Sequence, residues 1–127
     1  MSSLKLVSGN LKDSLEMISV VIPVYRNEQS LPKLVEALNF IATQVPLLEA
    51  VFVVDGSPDQ SFLALEQLLP SANFSSQLLL LSRNYGAFPA ISAGLEAARG
   101  TQFCVMAADL QEPPELIVQF SKELSNG

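Results

Sequence analysis

The chain has 127 residues, 49% of them apolar and 16% charged, with a net charge of −6. That length suits one domain with a buried core, and that composition excludes a disordered polymer. The negative balance argues against a general nucleic-acid binder, which needs a basic face, but admits a nucleotide whose phosphates meet a metal ion and backbone N–H groups.

Residues 1–16 read as a flexible leader in which Lys5, Lys12, Asp13 and Glu16 interrupt scattered leucines without a clear period. The leader lacks the apolar centre and cleavage site of a signal peptide, and no apolar run approaches the ~20 residues that span a bilayer. A single cysteine, Cys104, excludes an internal disulfide framework and suits a reducing compartment. The chain as written reads as soluble, with one domain over 17–127.

Ile18 to Ile22 is a short β-branched run closed by Pro23, which predicts a buried strand. Ser30 is placed to cap a helix whose apolar stripe is Leu31, Leu34, Val35, Leu38 and Ile41, and Pro46 falls in the next connection. Ala50 to Val54 predicts a second strand, ended by the turn Asp55-Gly56-Ser57-Pro58-Asp59. A second helix is expected over 61–69, stopped near Pro70. A third strand is expected over 78–81, then a helix of small residues over 88–98 with Gly100 as its stop. A fourth strand is expected over 103–106, and a fourth helix over 114–124 with Pro114 in its first turn.

This βαβαβαβα order predicts an α/β fold with right-handed crossovers and a parallel sheet covered on both faces. Ligands of such sheets sit beyond the carboxyl ends of the strands. Each unusual polar cluster falls there: Tyr25 to Glu28, Asp55 to Asp59, Arg83 to Gly86, and Asp109 to Glu112.

The first cluster has no glycine, so it is no dinucleotide fingerprint. Tyr25 offers a ring face and Glu28 an acceptor for a base and ribose, unless the loop merely leads into the helix. Asp55 can accept a hydrogen bond from the imide N–H of uracil, or serve as an ordinary turn aspartate before Gly56. Asp59 is expected to cap the next helix or order the turn. Arg83 can bind phosphate or brace other loops, and Gly86 permits a turn that other residues resist. The small face Ala87, Ala90, Ala93, Gly94 and Ala97 suits close packing on the sheet. Asp109 and Gln111 can both offer oxygen to Mg²⁺ or Mn²⁺, which usually take one or two carboxylates plus substrate phosphates. A capped helix start without metal is the other reading of that loop.

The segments VVIPVYRNEQSL (20–31), VVDGSPDQS (53–61), LSRNYGAFPAISAGLEAARG (81–100) and ADLQEPPELI (108–117) make the chain recognisable. It resembles the first half of a family 2 glycosyltransferase domain, the Rossmann-like nucleotide-binding half of a GT-A fold. Within that family it is similar to the branch that charges polyprenyl or dolichol phosphate. The resemblance implies that Pro23, Tyr25 and Glu28 line a nucleotide pocket and that Asp55 contacts the base. It implies that Asp109 binds metal and the donor diphosphate with help from Gln111, while Arg83 and Gly86 match a characteristic loop without assigned contacts.

The implied activity is transfer of a sugar, with inversion, from a nucleoside diphosphate (a UDP-sugar by preference) to a lipid phosphate in cell-envelope polysaccharide synthesis. The implied location is the cytoplasmic face of the inner membrane, reached through regions outside this chain, and no nucleic-acid partner is expected. Two positions depart from the pattern: Ala107 stands where an aspartate is common, and Ala87 where a lysine is frequent. Domains of this family continue into acceptor-binding elements, so the chain is expected to be a truncated part that is inactive alone. The competing reading is a non-catalytic nucleotide-sugar-binding or assembly module. A nucleotidyltransferase is disfavoured because no glycine-rich, basic triphosphate loop is present.

Overall fold

The computed structural model describes residues 17–110 and 115–126. The leader, Gln111, Glu112, Pro113 and Pro114 lie outside the described residues. Four parallel strands, β1 (Ile18–Val24), β2 (Leu48–Asp55), β3 (Ser75–Leu81) and β4 (Gln102–Val105), lie in the order β3-β2-β1-β4. Between them run α1 (Leu31–Gln44), α2 (Ser61–Leu68) and α3 (Ala87–Ala97), and α4 (Glu115–Asn126) follows β4. The chain moves outward from β1 to β3, then returns to lay β4 on the other side of β1. That reversal opens a crevice at the carboxyl ends of β1 and β4.

The central strands are apolar on both faces because both are covered. Val20, Ile22 and Val24 of β1, with Ala50, Phe52 and Val54 of β2, pack under Leu34, Leu38 and Ile41 of α1 and Leu65 of α2. Val21, Val51 and Val53 point the other way, onto Ala90 of α3. Gly94 makes that approach close, since a Cβ there would lie 2.4 Å from Val21 Cγ1 and 3.0 Å from Val53 Cγ2. Each fully buried aliphatic contributes about 1.5–3 kcal/mol, so these two strands anchor the domain.

The second face is less covered than expected. Among the described residues only α3 lies on it, over β1 and β2, and Phe103 and Val105 of β4 are 45% and 46% exposed. Ala87 departs from the small face too: it is exposed and turned toward the strand ends, while Ala90, Ala93, Gly94 and Ala97 pack as expected.

Several boundaries differ from the sequence reading for local reasons. Ser30 does not cap α1 with its side chain; a 3₁₀ turn over Glu28–Ser30 precedes the helix. The Ser30 hydroxyl instead lies 2.9 Å from the Ala108 carbonyl and 3.1 Å from that of Asn27, tying the β1 loop to the end of β4. Gly100 does not stop α3, which ends at Ala97 with Ala98 in extended backbone. Gly100 is there for space, because a Cβ would sit 2.5 Å from the Met17 carbonyl and 2.6 Å from Ser19 Oγ.

At the amino-terminal edge of the sheet, buried Glu49 accepts hydrogen bonds from Ser19 Oγ at 2.7 Å, Gln77 Nε2 at 2.8 Å and Arg99 N at 2.9 Å. Burial alone would raise this carboxyl, but those three donors and the Arg99 charge outweigh it and hold Glu49 below its ordinary value. Glu49 thus stitches β1, β2, β3 and the end of α3 together, far from the strand ends. Among the described residues no helix is long and apolar enough to cross a membrane.

Candidate functional site

At the other end of the sheet the four loops meet. After Val24 the chain enters a turn in which Asn27 Oδ1 accepts from Tyr25 N at 2.8 Å. Arg26 has left-handed backbone, φ 56°, and its N–H donates to Ser57 Oγ at 2.7 Å. The Arg26 guanidinium lies 5.3 Å from the centre of the Tyr25 ring, within cation–π range. Glu28 and the β2–α2 turn grip each other: Glu28 N donates to Asp59 Oδ2 at 3.3 Å, and Gln60 N donates to Glu28 Oε1 at 3.1 Å.

Asp59 does order its turn, as expected. Its Oδ1 accepts from Ser57 Oγ at 2.5 Å and from Ser61 N at 3.1 Å. Partial burial would raise the Asp59 carboxyl, but Ser57, the nearby Ser61 hydroxyl and the Ser61 and Glu28 N–H groups outweigh it and hold it low. The Ser61 hydroxyl lies near that carboxylate without meeting hydrogen-bond geometry, and has no partner among the described residues.

Asp55 is 3% exposed, and its carboxylate is turned into the loop after β3. Oδ1 accepts from Tyr85 N at 2.8 Å, while Oδ2 accepts from Gly86 N and Asn84 Nδ2, each at 3.0 Å. The two turns are also in steric contact. Gly56 is left-handed, φ +61°, and a Cβ on it would meet Arg83 C at 2.2 Å and Asn84 N at 2.4 Å. Gly86, φ +105°, opens α3 in a backbone form that L side chains rarely adopt, as the sequence reading requires.

These loops enclose a cavity of about 330 Å³ over the β1–β4 crevice. Pro23 and Tyr25 line it from β1, Asp55 from β2, Asn84 and Gly86 from the β3 loop, and Ala107 and Asp109 from β4. A second, more open cavity of about 590 Å³ lies on the α1–α2 side, with Arg26, Glu28, Ser30, Asp59 and Asp109 in its walls. Asp109 is exposed and stands on the border of both. The next residue, Leu110, is left-handed at φ 60°. Non-glycine strain thus sits in two strand-end loops, where such strain commonly accompanies a site.

Of the residues singled out from sequence, Pro23, Tyr25, Asp55, Gly86 and Asp109 share the smaller cavity. Glu28 lines the larger one instead, with Oε1 already accepting from Gln60 N. Arg83 is not in the cavity wall; its guanidinium rests 4.8 Å from the Tyr85 ring centre, bracing the loop. Gln111 lies outside the described residues. The sequence reading missed Asn84, whose amide reaches both the carboxylate and the carbonyl of Asp55. Its place between Arg83 and Gly86 was the available signal.

No three described Cys, Asp or Glu side chains stand close enough to hold a metal by themselves. Asp109 at the cavity mouth is a hard oxygen donor of the kind that shares Mg²⁺ or Mn²⁺ with substrate phosphates, so the donor set fits a substrate-shared ion rather than a protein cage.

The family described as "Glycosyl transferase family 2" matches residues 19–127. The chain is 40% identical over 104 residues to an undecaprenyl-phosphate 4-deoxy-4-formamido-L-arabinose transferase of Pseudomonas fluorescens, covering 81% of this chain and 31% of that protein. It is 38% identical over 116 residues to the transferase of the same name from Pectobacterium carotovorum, covering 91% and 36%. The chain therefore spans about a third of the length of the curated relatives it matches. Among solved structures, Staphylococcus aureus TarS 1–349 in complex with UDP-GlcNAc superposes with a TM-score of 0.71 at 23% identity, covering 87% of this chain and 31% of that one. The mannosyltransferase PcManGT of Pyrobaculum calidifontis, in complex with GDP-Man and Mn²⁺, gives 0.73 at 18% identity, covering 85% and 32%.

Proposed function

Since the chain belongs to glycosyl transferase family 2, we propose that residues 17–127 form the nucleotide-sugar-binding part of a GT-A transferase. One observation carries this reading: all four strand ends contribute to a single cavity at the switch between β1 and β4. The donor is a nucleoside diphosphate sugar, the ligand class carried by two of the structural neighbours. Uridine is the favoured nucleoside. A carboxylate has about four acceptor positions. Three donors occupy Asp55, which lines the cavity, so one acceptor position remains for the uracil imide.

Tyr25 and Pro23 wall the base, and the Asp55-ordered turn closes the opposite side. Asp109, assisted by Gln111, would hold Mg²⁺ or Mn²⁺ together with the donor diphosphate. The bound ion would offset the charge of the departing nucleoside diphosphate. In the whole protein an acceptor phosphate on a polyprenyl lipid attacks the anomeric carbon from the opposite face, inverting it. The relatives' names support that acceptor, and a lipid acceptor would place the reaction at a membrane face, the cytoplasmic one in this proposal.

Calorimetric titration of the 127-residue chain with UDP and Mn²⁺ tests the donor site, with Asp109→Ala as control. Saturable binding that weakens in the variant is expected, and no binding in the wild-type chain would sink the reading. Ala107, in the cavity wall where the resemblance calls for a carboxylate, favours a second reading as a non-catalytic nucleotide-sugar-binding module. A radiolabelled-donor assay with polyprenyl phosphate on the full-length protein separates the two, since only the transferase labels the lipid.

A further inference from the structure

The left-handed backbone of Arg26, φ 56°, is spanned locally by the hydrogen bond from Tyr25 N to Asn27 Oδ1 at 2.8 Å, and is also held from another loop. A non-glycine residue costs about 1–2 kcal/mol in that conformation, and it persists only where the surroundings impose it. The restraint on Arg26 itself comes from the β2–α2 turn, which takes its N–H. The Arg26 N–H donates to Ser57 Oγ at 2.7 Å, and the same oxygen donates to Asp59 Oδ1 at 2.5 Å. A hydroxyl rotates freely unless something takes its proton. Because Asp59 accepts that proton, the lone pairs of Ser57 are left facing Arg26.

Asp59 is itself anchored by Ser61 N on Oδ1 and Glu28 N on Oδ2. It lines the larger cavity and not the smaller one, so it reaches the nucleotide site only through other residues. Tyr25, immediately before Arg26, is in the wall of the smaller cavity.

We propose that Asp59 is a positioning residue of the nucleotide site: by fixing the Ser57 hydroxyl it holds Arg26 left-handed, and so sets Tyr25 against the base. The proposal rests on the reading of the smaller cavity as the donor site. The clamp also explains why a carboxylate outside that cavity is drawn into three hydrogen bonds with two loops.

The test uses the 127-residue chain, with UDP and Mn²⁺ as the probe. Asp59→Ala and Ser57→Ala should each weaken UDP binding about tenfold, the equivalent of the released strain. Ser57→Ala keeps the anchors of Asp59 and carries the test if Asp59→Ala does not fold. Glycine adopts φ near +56° without support, so Arg26→Gly alone should bind within about threefold of wild type, and adding it to either variant should restore affinity to that range. In parallel, NMR should show the strong intraresidue HN–Hα contact of a positive φ at Arg26, lost in Asp59→Ala.

Unchanged UDP affinity in both single variants, or a loss that Arg26→Gly does not restore, would overturn the proposal. So would an Arg26 HN–Hα contact that survives Asp59→Ala. Absence of UDP binding in the wild-type chain would instead remove the donor-site reading, and the NMR arm would still decide whether Asp59 holds Arg26.

Discussion

Gly56→Ala and Gly86→Ala separate two costs that a positive φ alone cannot. Both glycines have positive φ, +61° at Gly56 and +105° at Gly86, the latter with ψ 167° in a region open essentially only to glycine. A Cβ on Gly86 meets nothing nearer than Pro89 Cδ at 3.9 Å, so that variant carries backbone strain alone, about 1–3 kcal/mol. A Cβ on Gly56 falls 2.2 Å from Arg83 C, 2.4 Å from Asn84 N and 2.6 Å from Arg83 Cα. All three are backbone atoms, so the β3 loop must move as a body. Moving it pulls Tyr85 N and Gly86 N off the Asp55 carboxylate, and hydrogen bonds to a charged acceptor are worth about 1.5–3 kcal/mol each. With relaxation and water recovering part of the loss, Gly56→Ala should cost about 3–5 kcal/mol. Urea denaturation of both variants, followed by UDP titration of whichever folds, measures the difference. If Gly56→Ala costs no more than Gly86→Ala, the interlock of the two turns is not the constraint inferred here.

The Asp55 turn gives a second test: Asp55→Asn places an amide against two N–H groups and the Asn84 amide, so it should lower UDP affinity and reduce the preference for UDP over GDP and ADP. Equal affinity of the wild-type chain for all three would remove the uracil assignment. Ala107→Asp adds a carboxylate to the cavity wall beside Asp109 and should tighten Mn²⁺ binding in the presence of UDP, with little gain in its absence. Unchanged or weaker Mn²⁺ titration would show that position 107 does not face the ion. Glu49, held below its ordinary value, contributes stability that is complete above the unfolded-chain pKa and is lost as pH falls through the lower folded one. Glu49→Gln should therefore cost about 2 kcal/mol at neutral pH and flatten the acid limb of a stability–pH curve. An unaltered acid limb would place the pH dependence elsewhere.

Much of the fold was legible because the physics was local. Val20 to Ile22 and Ala50 to Val54 are apolar on successive residues, β-branched in the main and short, as suits a strand buried on both faces. β3 was read too short because Ser75, Ser76 and Gln77 look like loop, yet Gln77 is polar for a non-local reason, to reach Glu49. The same limit applied at the site. The sequence placed Asp55 at a strand end, but not the donors that meet its carboxylate, which lie some thirty residues away in the 84–86 turn. Ser30 illustrates the opposite error: a good capping residue by type, it was drawn instead to the end of β4 by a contact that no local pattern records.

The central claim is that the strand-end cavity is where the nucleotide sits, and a ¹⁵N-resolved NMR titration of the chain with UDP and diamagnetic Mg²⁺ addresses it directly. Saturable shifts should concentrate at Tyr25, Asn84 to Gly86 and Asp109, around the smaller cavity, and leave the Glu49, Ser19 and Arg99 cluster at the other end of the sheet unmoved. No saturable shifts, or shifts centred on the groove between α1 and α4 near Phe40 and Lys122, would contradict the account.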